Sequence, residues 1–348
     1  MNRATSMRMV LRQFDLPLRH VFAISRGATD VSRTLIVELQ QDGASGYGEA
    51  GENPFYGATV ANMRAALEGV RPEIEAARLD APAALWEALR PVLGANTFAQ
   101  CALDVAAHDL WGKLRKRPVW DLWGLRIDGS LPLTDYTVGI DTIEVMVRKM
   151  QEFAGWPIYK IKLGTADDLA IVRELRSHTS AVFRVDANCA WDAETAIRLS
   201  GPLKELGVEL IEQPLPPECW DEMQEVMRRS ALPIIADESC RGEPDVERCL
   251  GHFHGINVKL VKCGGLTPAR RMIGRARQLG LKTMVGCMTE SSVGISAIAQ
   301  LLPLLDYVDM DGALLLARDI ASGVRIECGR VIYPEENGCG VRLLSTIE

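Results

Sequence analysis

Along the second half of the chain, short apolar runs alternate with longer amphipathic stretches. The runs are YKIKLG (159–164), VFRVDAN (182–188), VELIEQP (208–214), LPIIADES (232–239), INVKLVKCG (256–264), LKTMVGCMTES (281–291) and YVDMDG (307–312). Their starts lie roughly 25 residues apart, a repeat that suits one strand plus one helix. The stretches between them, such as TADDLAIVRELRSH and DAETAIRLSGPLKELG, carry apolar residues at helical spacing. LPLTDYTVGI (131–140) supplies one earlier strand. Eight strands in this rhythm predict an α/β fold closed into a (β/α) barrel rather than a doubly wound sheet. No GxGxxG or Walker loop follows any strand, which argues against a dinucleotide or nucleotide phosphate site.

The first part of the chain reads differently. TLIVEL (34–39) has strand character, QDGASG is a turn and YGEAG resumes an extended path. From about residue 60 to 122 the pattern is mostly helical, and Ala102, Val105, Ala106, Leu110 and Leu114 fall on one face. Beyond about residue 320, ECGRVIYPEENGCGVRLL reads as short strands and turns expected to return to the N-terminal part. The expected division is therefore 1–128 (α+β), 129–320 (barrel) and 321–348 (returning segment).

Composition narrows the function classes. A chain of 348 residues with 47% hydrophobic content can build a large core. The net charge of −7 and the absence of a basic block give no support to nucleic-acid binding. KLRKR (113–117) follows an apolar helical pattern and reads as a helix end, where cations are favoured. Nine cysteines are scattered without CxxC spacing, which fits a reducing cytoplasm. No signal-peptide core is visible, and no apolar run approaches the length of a membrane span.

Polar and charged residues gather at the C-terminal ends of the predicted barrel strands, where barrel enzymes keep their active sites. Asp186, Glu212 and Asp237 end three consecutive strands. Three hard carboxylates in an apolar surround repel one another and lose hydration, and Mg²⁺ or Mn²⁺ would offset both costs. The alternative is that some of them cap the following helices. The five histidines are not at ligand spacing on these strands, which argues against zinc. Lys160 and Lys162 alternate by two and share one side of their strand. Lys262, four strands further round, is expected to face them across the mouth. Such lysines serve either as opposed general bases or as structural partners of the carboxylates. Asp309 and Asp311 also alternate; they suit a substrate ammonium, cap the next segment, or balance a lysine. His108, Trp111, Trp120 and Trp123 are expected to pack a domain junction. His252 and His254 precede a strand, at its bottom end.

In order along the chain, YKIKLG, RVDAN, IEQP, ADES, NVKLVKCGG, GCMTESSVG and DMDG resemble the marks of the enolase superfamily, in its muconate-lactonizing branch. The likeness covers nearly the whole chain and is greatest to the dipeptide epimerases, the L-Ala-D/L-Glu epimerase group. The resemblance implies a modified TIM barrel, (β/α)7β, with an N-terminal α+β capping domain completed by the C-terminal segment. It implies one Mg²⁺ per subunit on Asp186, Glu212 and Asp237, supported by Asn188, with Mn²⁺ as a substitute. It implies Lys162 and Lys262 as acid/base catalysts on opposite faces of the substrate α-carbon, and Lys160 beside the substrate carboxylate. Asp309 and Asp311 match the pair that holds a dipeptide ammonium. Arg26, Thr137 and Tyr56 complete the expected substrate-binding positions.

The implied activity is epimerisation of the C-terminal residue of dipeptides, L,L to L,D, through an enediolate. Two capping loops, 24–30 (ISRGATD) and 52–59 (ENPFYGAT), are expected to close over the substrate. Thr29 and Asp30 stand where an arginine for an acidic side chain would be expected. The rivals are an N-acylamino acid racemase, an o-succinylbenzoate synthase or a cycloisomerase of the same superfamily, and last a non-catalytic barrel. A homo-oligomer is the expected assembly.

Overall fold

A computed structural model describes residues 6–129 and 131–345. The outermost residues of the first and third predicted segments, and residue 130, lie outside the described residues. The chain opens with an antiparallel sheet of β1 (Arg8–Ile24), β2 (Gly27–Gln41) and β3 (Ala44–Gly51), in that spatial order. Asp42 and Gly43 join β2 to β3 with φ of 50° and 79°. Two positive-φ residues make the tight turn that matches strand twist, which is why Asp-Gly stands there. The TLIVEL run lies inside β2; β1 carries apolar residues such as Leu11, Phe14, Leu16 and Leu18 interleaved with charged ones, and the first third of β2 is exposed.

The helices α1 (Val60–Gly69), α2 (Arg71–Ala76), α3 (Pro82–Leu93), α4 (Thr97–Arg115) and α5 (Val119–Leu122) follow. Helix α4 starts where the Asn96 side chain accepts a hydrogen bond from the Ala99 amide. It buries Ala102, Val105, Ala106 and Leu110 and packs on β3. Asp104, buried on α4, accepts from the amide and hydroxyl of Thr267 at 2.8 and 2.7 Å. The Trp86 indole on α3 donates to the carbonyl of Gly264 at 2.8 Å. These bonds seat the N-terminal layer against the loop that follows one barrel strand.

Among the described residues the barrel runs as β4 (Tyr136–Val138), α6 (Ile143–Glu152), β5 (Ile158–Lys162), α7 (Asp168–Ser177), β6 (Val182–Asp186), α8 (Ala193–Glu205), β7 (Val208–Glu212), α9 (Trp220–Arg229), β8 (Ile234–Ala236), α10 (Asp245–Cys249), β9 (Gly255–Val258), α11 (Leu260–Cys263), α12 (Leu266–Gln278), β10 (Lys282–Gly286), α13 (Ser292–Ala299) and β11 (Tyr307–Asp309). The eight strands are parallel neighbours in chain order. A parallel bridge between Thr134 and Val308 joins the last strand to the first. Every strand but the last is followed by a helix, the (β/α)7β arrangement. One expected strand is shorter than its apolar run. Of INVKLVKCG (256–264), only the first residues pair; at Lys259 the chain turns into α11.

Past the barrel lie β12 (Ala321–Ser322), β13 (Arg325–Glu327), β14 (Arg330–Ile332) and β15 (Arg342–Leu343). Asp109 on α4 accepts from the Cys339 amide at 2.8 Å, and Lys113 donates to the Val341 carbonyl at 2.8 Å. The last segment therefore touches the helix that covers β3. No helix among the described residues is long and apolar enough to cross a membrane.

Candidate active site

Side chains alternate across a strand, so every second residue enters the barrel. The lower layer is Leu210, Ile235 and Met284, with Tyr307 packed against them. Arg184 shares this layer and donates to Asp135 at 2.9 Å and to the Val308 carbonyl at 2.7 Å. Two residues higher on the same strands the chemistry changes to Asp186, Glu212, Asp237 and Asp309, each at most 5% exposed. Above them is a cavity of about 790 Å³ between the barrel mouth and the loops around residues 24–33 and 51–56.

Asp186, Glu212 and Asp237 each offer a carboxylate oxygen within 4.8 Å of the others. Lys162 donates to Asp186 at 2.7 Å, and the Asn188 amide donates to its other oxygen at 2.9 Å. Asn257 donates to Glu212 at 2.8 Å. The amide of Asp237 donates to the Gln213 side chain at 2.9 Å. Burial and the neighbouring Asp186 push the Glu212 carboxyl up to about 7. Burial alone would raise Asp186 as well, but Lys162 and Lys160 hold it down to about 2. The set is thus held rigidly and under mutual repulsion.

The lysines divide by position. Lys160 is 1% exposed and lies among Asp309, Glu212 and Asp186 at 2.7, 2.7 and 3.3 Å. It sits beneath the carboxylates and does not line the cavity, where a direct substrate contact was expected. Lys162 lines it. Lys262 does not face Lys162 across the mouth, and that expectation is corrected. Its ammonium is enclosed by the Asp237 carboxylate (2.6 Å) and the carbonyls of Asp237 (2.5 Å), Cys240 (3.0 Å) and Asn257 (3.2 Å). The cause is the early turn into α11, which carries residue 262 off the barrel interior. Lys259 stands opposite Lys162 instead. It lines the cavity and donates to Asp237 at 2.9 Å. The signal was available: Asn257 and Lys259 alternate by two at the end of β9, as Lys160 and Lys162 do on β5.

The remaining expected positions converge on the same cavity. Asp309, Asp311, Thr137, Tyr56, Arg26 and Asn188 all line it. Asp311 accepts from the Thr137 amide at 2.6 Å and its hydroxyl at 3.3 Å. Burial and Asp309 push Asp311 up to about 7, whereas Lys160 keeps Asp309 below the usual carboxylate range despite its burial. Cys287, which no sequence signal singled out, joins this aspartate pair within 4.8 Å. Glu238, buried beside Asp237, faces Arg26 at 2.7 Å. The histidines stay away: His254 accepts from the Ile234 amide at 3.0 Å, at the bottom of β8.

Residues 7–124 match the family model of the mandelate racemase / muconate lactonizing enzyme N-terminal domain, and residues 143–346 match the enolase C-terminal domain-like model. The chain belongs to the enolase superfamily. Among relatives in the superfamily, the L-Ala-D/L-amino acid epimerase of Flavobacterium johnsoniae is 56% identical over 97% of this chain and 100% of its own. The L-Ala-D/L-Glu epimerase of Bacteroides thetaiotaomicron is 39% identical over 96% of this chain and 88% of its own. A solved structure, the dipeptide epimerase of Methylococcus capsulatus complexed with Mg and the dipeptide L-Arg-D-Lys, superposes with a TM-score of 0.90. It is 32% identical and covers 97% of this chain and 99% of its own.

The donor set of this superfamily member fits a hard divalent cation. All three groups are carboxylates, they converge within 4.8 Å, and all are buried. The Glu212 carboxyl is raised by burial first and by repulsion from Asp186 second, and a cation would offset both. Beside Asp186, the Asn188 side-chain oxygen is buried with no hydrogen-bond partner among the described residues.

Proposed function

We propose that this chain is a Mg²⁺-dependent dipeptide epimerase that inverts the α-carbon of the C-terminal residue. The single observation that carries the reading is the placement of Lys162 and Lys259 on one cavity with the carboxylate cluster between them and the Asp309–Asp311 pair at its side. The complexes of related epimerases with Mg and a dipeptide support it. The name of the Flavobacterium johnsoniae relative supports L-alanine as the first residue.

Asp186, Glu212 and Asp237 would hold the cation; when bound it supplies the positive charge that favours a carboxylate carrying extra negative charge. Asp309 and Asp311 accept the dipeptide ammonium, with Thr137 fixing the orientation of Asp311. That contact sets the distance from the amino terminus to the reacting carbon and selects a dipeptide over an N-acylated amino acid. One of Lys162 and Lys259, unprotonated, takes the α-proton. The electron pair left on carbon delocalises into the carboxylate as an enediolate. The other lysine, as an ammonium, returns a proton to the opposite face. Lys160, under the cluster, keeps the carboxylates from separating. Lys262 fastens Asp237 to the loop after β8 and takes no part in proton transfer.

The test is incubation of the full chain with Mg²⁺ and an L-Ala-L-Xaa dipeptide, followed by chiral chromatography. The L,D product is expected, and N-acetylation of the dipeptide should abolish it. No inversion by the folded, metal-bound protein would overturn the reading. Equal turnover of the acetylated substrate would turn it into an N-acylamino acid racemase.

A further inference from the structure

We propose that Glu238 sets the substrate class of this site by consuming Arg26, so that the residue being inverted has a neutral rather than an acidic side chain. The inference rests on the epimerase reading above. Arg26 sits at the turn between β1 and β2, over the cavity, and with Arg33 it is one of two guanidiniums among the described residues that line it. Both of its terminal nitrogens and one face are engaged, although its side chain is 29% exposed. One nitrogen lies 2.7 Å from Glu238, another donates to the Asn188 carbonyl at 3.0 Å, and the plane lies 4.3 Å over the Phe55 ring.

Glu238 is 2% exposed, and apart from the Arg26 guanidinium at 2.7 Å neither of its oxygens has a hydrogen-bond partner among the described residues. Drawing Arg26 away to a substrate carboxylate would strand Glu238 as a lone buried charge. Only the Glu238 end of the pair is buried, so separating the two leaves the buried carboxylate without its nearest cation, a cost that a substrate carboxylate would have to offset.

The rest of the lining offers no substitute. Among the described residues lining the cavity, every cation already faces an acid. Lys162 pairs with Asp186 and Lys259 with Asp237, at 2.7 and 2.9 Å. Arg33 is largely exposed at the rim, 3.7 Å from Asp15 and 4.0 Å from Glu52. Asp30 adds a further negative charge there. By contrast Phe22, Ile24, Phe55, Met288 and Leu315 give the same cavity apolar surface for an aliphatic or thioether side chain.

The test compares kcat/KM for L-Ala-L-Met and L-Ala-L-Glu on the Mg²⁺-loaded full chain. The wild type should favour the methionine dipeptide by at least about tenfold. Glu238→Gln, which frees Arg26, should narrow that ratio by about tenfold; a general loss of activity cancels in the ratio. Arg26→Met should leave the preference for methionine in place, since Arg26 does not serve the substrate acid. This second variant and the wild type decide the matter if Glu238→Gln does not fold. A wild type that takes glutamate as well as methionine, a ratio unmoved by Glu238→Gln, or a selective loss of L-Ala-L-Glu in Arg26→Met would each overturn the inference while leaving epimerisation intact. If neither dipeptide is inverted, the epimerase reading fails and the inference falls with it.

Discussion

Lys259 reaches the cavity across Gly286: a Cβ at residue 286 would stand 2.9 Å from Lys259 Cε and 2.6 Å from the Asn257 side-chain nitrogen Nδ2. The glycine at the end of β10 therefore provides the space in which the lysine lies against Asp237. Asn257 in turn donates to Glu212, so one small residue serves both a lysine and a carboxylate of the cluster.

Gly286→Ala should consequently push Lys259 and Asn257 out of place without adding or removing charge. A displacement of this kind is expected to lower kcat/KM by about 100-fold while the chain stays folded. Steady-state kinetics beside a circular dichroism melt would check it. Unchanged kinetics would mean that Lys259 does not need its present position.

Lys259 and Lys262 both bond Asp237 but should fail differently when removed. Lys262→Met removes the buried ammonium shared by one Asp237 carboxylate oxygen and three carbonyls, and should cost on the order of 3 kcal/mol of stability. Lys259→Ala should lose inversion by 10³-fold or more, on the order expected for an acid/base group with its positioning, with a smaller loss of stability. Denaturant unfolding and turnover, measured on both variants, separate the two roles. The reverse pattern would restore Lys262 as the catalyst.

These two lysines also mark the limit of what was legible in the sequence. The rhythm of apolar runs specified the barrel because each strand ends where an apolar run gives way to paired polar residues. Their place at the ends of three consecutive strands grouped Asp186, Glu212 and Asp237, which the structure brings within 4.8 Å. The same placement by strand end, with the strand carried on through LVKC, put Lys262 at the mouth in place of Lys259. Leu260, Val261 and Cys263 are apolar and carry no turn residue, so a four-residue helix beginning at Leu260 looks like continued strand. Strand β1 was missed because its outward-facing charges and Pro17 hide its pairing with β2. The pairing of Arg26 with Glu238 joins two segments far apart in the chain and has no local signature at all.

The pH dependence of metal binding follows from Glu212. Its carboxyl is raised from an ordinary 4.5 to about 7, chiefly by burial and then by Asp186. In the metal-free protein the folded state keeps this proton while the unfolded chain has lost it. Glu212 therefore contributes stability that declines as pH rises from 4.5 through about 7. A cation must displace the proton, so its affinity should move the opposite way. Mg²⁺ affinity is expected to be about tenfold weaker at pH 6 than at pH 8, read by calorimetry, with proton release on binding at the lower pH. Equal affinity at both pH values would show that Glu212 is already ionised at pH 6 in the metal-free protein.

The measurement that tests the two-base reading most directly is α-proton exchange in D₂O by single-lysine variants, starting separately from the L,L and the L,D dipeptide. With opposed bases, Lys162→Ala should still wash deuterium into one epimer and Lys259→Ala into the other, and neither should invert its substrate at an appreciable rate. Inversion surviving in either variant, or loss of exchange from both epimers in one of them with the fold and metal site intact, would contradict proton transfer between Lys162 and Lys259.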